Sequence, residues 1–171
     1  MTLRTFDSPE FKIDYPSSWE IAPRNSTFPY YSSNTIVVLK PTGETNPLNI
    51  TYLNISPLPI GTSLNPTAQS ISRDNNSLNE IVSEEIAFLQ DPESFYGDLN
   101  VEILDNNSTT VDKLPAKQFS YLIHELGTFD METIVVHNDK QYQMHFTTPV
   151  LYASETLPKV KQIIQSFKFN T

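Results

Sequence analysis

Apolar and polar residues alternate with a period of two along most of this chain and change to helical spacing in two places. Phe11, Ile13 and Tyr15 alternate with Lys12 and Asp14 as in a half-buried strand. Pro16 ends that strand, and Trp19-Glu20-Ile21 resumes after a short turn, which predicts a hairpin. Thr35 to Lys40 reads as a second strand region closed by Pro41-Thr42-Gly43. Leu48 to Ser56 reads as a third, with Ile50, Tyr52, Asn54 and Ser56 on one face and Asn49, Thr51, Leu53 and Ile55 on the other.

The middle of the chain changes period. Ser77-Leu78-Asn79-Glu80 is a capping-box pattern, in which each side chain can satisfy a free amide of the first turn. Leu78, Ile81, Val82, Ile86 and Leu89 then recur at helical spacing, Glu84 and Glu85 are expected to face solvent, and Asp91-Pro92 stops the helix. Asn65-Pro66 predicts a shorter helical turn within Ile60 to Arg73, since proline suits a first helical position.

Strands return at Leu99 to Leu104, followed by an expected turn at Asn106-Asn107-Ser108, then Ala116 to Leu126, Phe129 to His137 and Gln141 to Thr148. Asn138-Asp139 is a tight-turn pair. A two-residue loop there sets Met131, Thr133 and Val135 opposite Phe146, Met144 and Tyr142, an expected core face. The other face receives Glu132 opposite His145 and Ile134 opposite Gln143, a mixed surface suited to partial cover by a helix. A closing helix is predicted from Ser154 to Ser166, with Leu157, Val160, Ile163, Ile164 and Phe167 on one stripe and Pro158 in its first turn. Strands, helix, strands, helix, joined by hairpin-length links, point to an α+β fold: one antiparallel sheet flanked by helices in a single domain over residues 1–171.

Composition narrows the function classes. The absence of cysteine excludes disulfide scaffolds, thiolate metal sites and thiol nucleophiles. A formal charge of −9 repels phosphate backbones, so nucleic acid is not an expected partner. No apolar run approaches the roughly 20 residues of a membrane-spanning helix, and no apolar signal segment opens the chain. Only 18% of residues are charged, and Asn, Ser and Thr fill the solvated faces. Glycosylation triplets start at Asn25, Asn49, Asn54, Asn75, Asn106 and Asn107, roughly twice the number chance supplies. Two readings stay open: a glycosylated domain outside the cytoplasm, cut from a precursor with a signal or anchor, or a cytoplasmic chain whose Asn and Thr content generates such triplets unmodified.

Candidate chemistry is sparse. G-x-S-x-G, HExxH, P-loop and GxGxxG motifs are absent. The three histidines are His124, His137 and His145. If the loop before Asp130 spans Gly127 to Phe129, His124 falls opposite Glu132, and three strands present a His124, Glu132 and His145 cluster able to hold a divalent cation. A two-residue loop sends His124 to the opposite face, and an ordinary polar cross-strand cluster remains the alternative. No other cofactor is expected. Glu84-Glu85 and Asp91/Glu93 are paired carboxylates expected on a solvated helix face rather than in acid–base work. Arg73-Asp74-Asn75-Asn76 and Asp105-Asn106-Asn107-Ser108 are Asn/Asp turns that lack the EF-hand spacing for calcium. Tyr30-Tyr31 offers either a contact surface for a partner or aromatics folded back over the sheet edge.

Three segments together resemble the PsbP family: Phe11-Lys12-Ile13-Asp14-Tyr15-Pro16-Ser17-Ser18-Trp19-Glu20, Leu114-Pro115-Ala116-Lys117-Gln118-Phe119-Ser120-Tyr121, and Lys140-Gln141-Tyr142-Gln143-Met144-His145-Phe146 followed by Ile163-Ile164-Gln165-Ser166-Phe167. The first is similar to the family's tyrosine-proline-x-x-tryptophan strand, the second to a strand entered through proline-alanine, the last to its closing strand and helix. The resemblance implies an α-β-α sandwich, shared with a Ran-binding nuclear-transport factor. It further implies a non-catalytic accessory or protein-binding role outside the cytoplasm, with a partner such as a membrane-associated complex, and it transfers no catalytic residue.

Overall fold

A computed structural model describes residues 2–24, 31–44, 50–60 and 78–170. Seven antiparallel strands form the main sheet in the order β3 (Trp19–Ile21), β4 (Val37–Pro41), β5 (Tyr52–Pro59), β9 (Lys140–Pro149), β8 (Thr128–His137), β7 (Leu114–Ile123) and β6 (Val101–Val111). A second sheet places β2 (Phe11–Pro16) between β1 (Leu3–Asp7) and the short β10 (Lys168–Phe169). Helix α1 (Leu78–Gln90) packs on one face of the main sheet against β6, β7 and β8, while α2 (Val150–Ser166) packs with β2 on the other. The result is the expected α+β sandwich with a central antiparallel sheet.

Strand parity decides the two cores. Met131, Val135, Tyr142, Met144 and Phe146 point toward α2, whose Val160, Ile163 and Ile164 close over them with Phe11, Ile13 and Phe167. Phe11 and Phe167 stack at 4.7 Å, which ties the N-terminal sheet to the end of α2. On the opposite face Phe119, Tyr121, Ile123 and Ile134 receive Ile81, Val82 and Leu89 of α1. The β8–β9 register follows the expected pairing, with Met131 opposite Phe146 and Glu132 opposite His145. Asn138 and Asp139 both take positive φ, at 48° and 57°, as a two-residue type I′ loop requires.

Four expectations are corrected. β2 and β3 form no hairpin, because β1 and β10 occupy both edges of β2, and β3 joins β4 in the other sheet. The strand expected to stop before Asn106 continues to Val111; β6 lies at the sheet edge, where a run of polar residues costs no burial. Its turn is Asp112-Lys113, with φ of 48° and 67°, so Asp105-Asn106-Asn107-Ser108 is extended and not a calcium-type turn. Helix α2 begins at Val150, directly after Pro149, which puts Pro158 in its interior rather than its first turn. The buried Val160, Ile163 and Ile164 carry the helix across the hydrogen bond that Pro158 removes. Ser77, the helical turn expected within Ile60 to Arg73, and the Arg73-Asp74-Asn75-Asn76 turn lie outside the described residues. Among the described residues no helix is long and apolar enough to cross a membrane.

Candidate functional site

Helix α1 covers only part of its sheet face. The remainder, over β5, β9 and β8, carries polar side chains at every second position: Asn54 and Ser56 on β5, Gln143 and His145 on β9, and Asp130 and Glu132 on β8. A cavity of about 210 Å³ opens there. Glu132, Gln143 and His145 form its floor, Tyr96 and Tyr121 one wall, and Ser32, Asn54 and Ser56 the opposite rim. Tyr96 reaches the cavity from the segment that follows α1, just before a 3₁₀ turn at Gly97–Leu99.

The electrostatics are set by burial. Asp130 and Glu132 are each 3% exposed. His145 Nε2 donates to Asp130 Oδ1 at 2.9 Å and lies 3.8 Å from Glu132 Oε1. Thr128 Oγ1 donates to the other Asp130 oxygen at 2.8 Å. Loss of hydration pushes the Glu132 carboxyl up to about 7; the His145 charge opposes that shift, and Glu85 and Asp130 add to it. Burial alone would lower the His145 imidazole, but the charge of Glu132 and the bond to Asp130 outweigh it and push it up to about 9. Burial, and then the same carboxylates, also raise the phenols of Tyr96 and Tyr121. Near neutral pH the floor is therefore an imidazolium clamped to Asp130 beside a carboxyl group whose pKa is raised toward neutrality. Among the described residues no serine, threonine or lysine is hydrogen-bonded to the His145 ring.

The residues singled out from the sequence divide. Glu132 and His145 do meet across β8 and β9. His124 does not join them: β7 pairs with β8 so that Phe119 faces Glu132 and Ile123 faces Thr128, which leaves His124 in the connecting turn. There its Nε2 lies 2.8 Å from Glu102 Oε2 on the edge strand. His137 stacks on Phe169 with ring centres 4.1 Å apart. Among the described residues no group of three His, Asp or Glu side chains is placed to hold a metal ion. Asn106 and Asn107 are exposed on β6. Asn54 is half-buried, its Nδ2 donating to Thr35 Oγ1 at 3.3 Å and its Oδ1 accepting from Ser56 at 2.7 Å. Asn25, Asn49 and Asn75 lie outside the described residues, as does Tyr30. Tyr31 folds back over the sheet, donating to the Ala22 carbonyl at 2.6 Å with Arg24 over its ring. Asp91 accepts from the Glu93 amide at 2.9 Å in a turn.

Glu85 corrects the expectation of a solvated Glu84-Glu85 pair, since it is 2% exposed. It falls four residues after Ile81 and four before Leu89, inside the apolar stripe, and that spacing was the available signal. Gln143 lies on the mixed face that the alternation predicts, whereas Asp130, Tyr96 and Tyr121 are not among the expected site residues. Asp130 shares a strand face with Glu132, which the alternation reveals once the register is known. Tyr96 carries no periodic signal at all.

No family model and no curated protein matches the chain. Solved structures do match it over nearly its whole length. The solution structure of cyanobacterial PsbP from Synechocystis is similar over 98% of this chain and 92% of its own, with a TM-score of 0.65 at 14% identity. This chain is built on the PsbP fold. LpqN of Mycobacterium tuberculosis, described as involved in cell envelope biogenesis, shares that PsbP fold with a TM-score of 0.57 at 12% identity, over 99% of this chain and 91% of its own. The Ran-binding protein Mog1p of Saccharomyces cerevisiae gives 0.57 at 10% identity, over 98% and 95%. At these identities the likeness concerns the arrangement of strands and helices.

Proposed function

We propose that this chain is a non-catalytic accessory domain that binds a protein partner outside the cytoplasm, with the partner belonging to a membrane-associated assembly. One observation carries the non-catalytic part: the only histidine on the open sheet face among the described residues is held by Asp130 and Glu132, with no nucleophile beside it. Such a cluster shapes and charges a surface without driving turnover. The fold likeness supports the binding role, because one relative is a Ran-binding protein and another acts in cell envelope biogenesis. An acidic surface low in charged residues and rich in glycosylation triplets, with Asn106 and Asn107 exposed on the edge strand, supports a place outside the cytoplasm.

Photo-crosslinking in the native cell tests this reading. A photoreactive residue at Ser32, on the cavity rim, should give a discrete protein adduct in the membrane or extracytoplasmic fraction. The same residue at Glu155, exposed on α2 across the sheet, should give none. Cytoplasmic fractionation without an adduct from Ser32 would refute the proposal.

A further inference from the structure

We infer that the cavity between Tyr96, Tyr121 and strands β8 and β9 receives the head group of a small organic cation, either a protonated amine or a guanidinium. The inference rests on the cavity itself and holds whether or not a protein docks at the rim. Its first support is a pair of unmet hydrogen-bonding groups. Glu132 Oε2 and Gln143 Nε2 are both buried on the cavity floor, on side chains at most 5% exposed, and neither has a partner. Buried polar atoms in a folded protein are nearly always paired, so two orphans on the floor of one opening mark the place where a ligand supplies the missing groups. Glu132 Oε2 lacks a donor. Gln143 Nε2 is a donor that lacks an acceptor, so of the two orphans Glu132 Oε2 is the one that an N–H-rich head group satisfies.

Charge selects a cation over a neutral donor. Asp130 and Glu132 on β8 and Glu85 on α1 are buried carboxylates near one another, and among the described residues His145 is the cation bonded to the β8 pair. Among the described residues one imidazolium meets Asp130 and Glu132, and it does not neutralise both carboxylates once Glu132 ionises. A bound cation makes up that shortfall without importing water. Tyr96 and Tyr121 complete the lining, and aromatic rings beside a site attract ammonium and guanidinium groups. A volume of about 210 Å³ holds such a head group and a few carbons of its stem.

Binding should be linked to protons. The groups facing Glu132 are Asp130 on its own strand, His145 from β9, Glu85 from α1, and Tyr96 and Tyr121. His145 keeps its proton up to about 9 and the tyrosines keep theirs, so Glu132 is the group that changes state around neutrality. A cation favours ionised Glu132 and expels its proton.

The test uses the purified full chain, n-butylguanidinium and n-butylammonium as probes, and neutral n-butylurea as the isosteric control. Binding is read by the ring-proton shift of His145. At least one cation should bind at a single site, and its affinity should rise about tenfold between about pH 6 and pH 8 as Glu132 ionises. Glu132→Gln should cost tenfold or more at the higher pH and abolish the pH dependence. Should that variant not fold, the pH dependence and the urea comparison on the unaltered chain decide the matter. A blocked Gly-Arg-Gly peptide that binds as well as butylguanidinium identifies a partner's side chain as the natural occupant; binding of the free cations alone identifies a small molecule. Butylurea binding as tightly as either cation, pH-independent affinity, or no binding of the cations at about 10 mM overturns the inference.

Discussion

His145 stands opposite Glu132 in the β8–β9 register, yet it gives its Nε2–H to Asp130, two pairs further along on the same face, at 2.9 Å. The diagonal bond leaves Glu132 Oε1 3.8 Å away and its other oxygen without a donor. One imidazole thus satisfies one carboxylate and only lowers the field at the second. That division produces a clamped ion pair and a carboxyl group of unusual basicity within one cavity.

The clamp is predicted to be visible in solution. In the unaltered chain the His145 ring should titrate near 9, well above an ordinary imidazole. Asp130→Asn should bring it down measurably, whereas Glu102→Gln, which removes the carboxylate beside His124, should leave it unchanged. NMR titration of the ring protons checks both. A His145 that titrates in the ordinary range in the unaltered chain would contradict the geometry.

Stability should fall as pH rises through neutrality. Glu132 holds its proton up to about 7 in the folded chain against an ordinary value of 4.5, and His145 up to about 9 against 6.5. Both therefore bind protons more tightly folded than unfolded. Each contribution is complete below the unfolded value and is lost as pH climbs through the folded one, over about 4.5 to 7 for Glu132 and 6.5 to 9 for His145. Glu10, whose carboxylate accepts the Tyr142 hydroxyl at 2.6 Å and is held low by it, acts with the opposite sign and only below this range. The urea midpoint should be higher at about pH 6 than at about pH 9, and His145→Gln should flatten the upper part of the slope. A midpoint that rises with pH would show the pair to be unimportant.

Turn placement gives a prediction of opposite signs. Lys113 is exposed and sits at φ 67°, where a β-carbon is strained, so Lys113→Gly should stabilise the fold by about 0.5–1 kcal/mol. Asn107→Gly, in the extended run of β6, should destabilise it by about the same amount. Thermal unfolding distinguishes them. The reverse signs would return the turn to Asn106-Asn107-Ser108.

These contrasts show how far the sequence could be read. Alternation from Phe129 to Thr148, pinned by Asn138-Asp139, was enough to pair Glu132 with His145, because a two-residue loop leaves one register. The next hairpin had no such pin. The chain turns through His124 to Gly127, and the misjudged loop carried His124 into a cluster it does not join. Edge position hid the true length of β6, since solvent-facing strands need no apolar pattern to announce them. At the N-terminus Phe11, Ile13 and Tyr15 revealed a buried strand but not its neighbours, which come from residues 3–7 and 168–169. The cavity was legible only in part. Its floor followed from strand parity, while Tyr96 and the inward turn of Glu85 depend on how α1 and the segment after it lie across the sheet.

Hydrogen–deuterium exchange on the purified chain, alone and with solubilised native membranes, most directly tests whether the open half of the sheet is the working surface. Protection should appear across residues 31–36 and 94–99, which border the cavity, with exchange in α2 unchanged. Protection confined to α2, or none at either border, would contradict it.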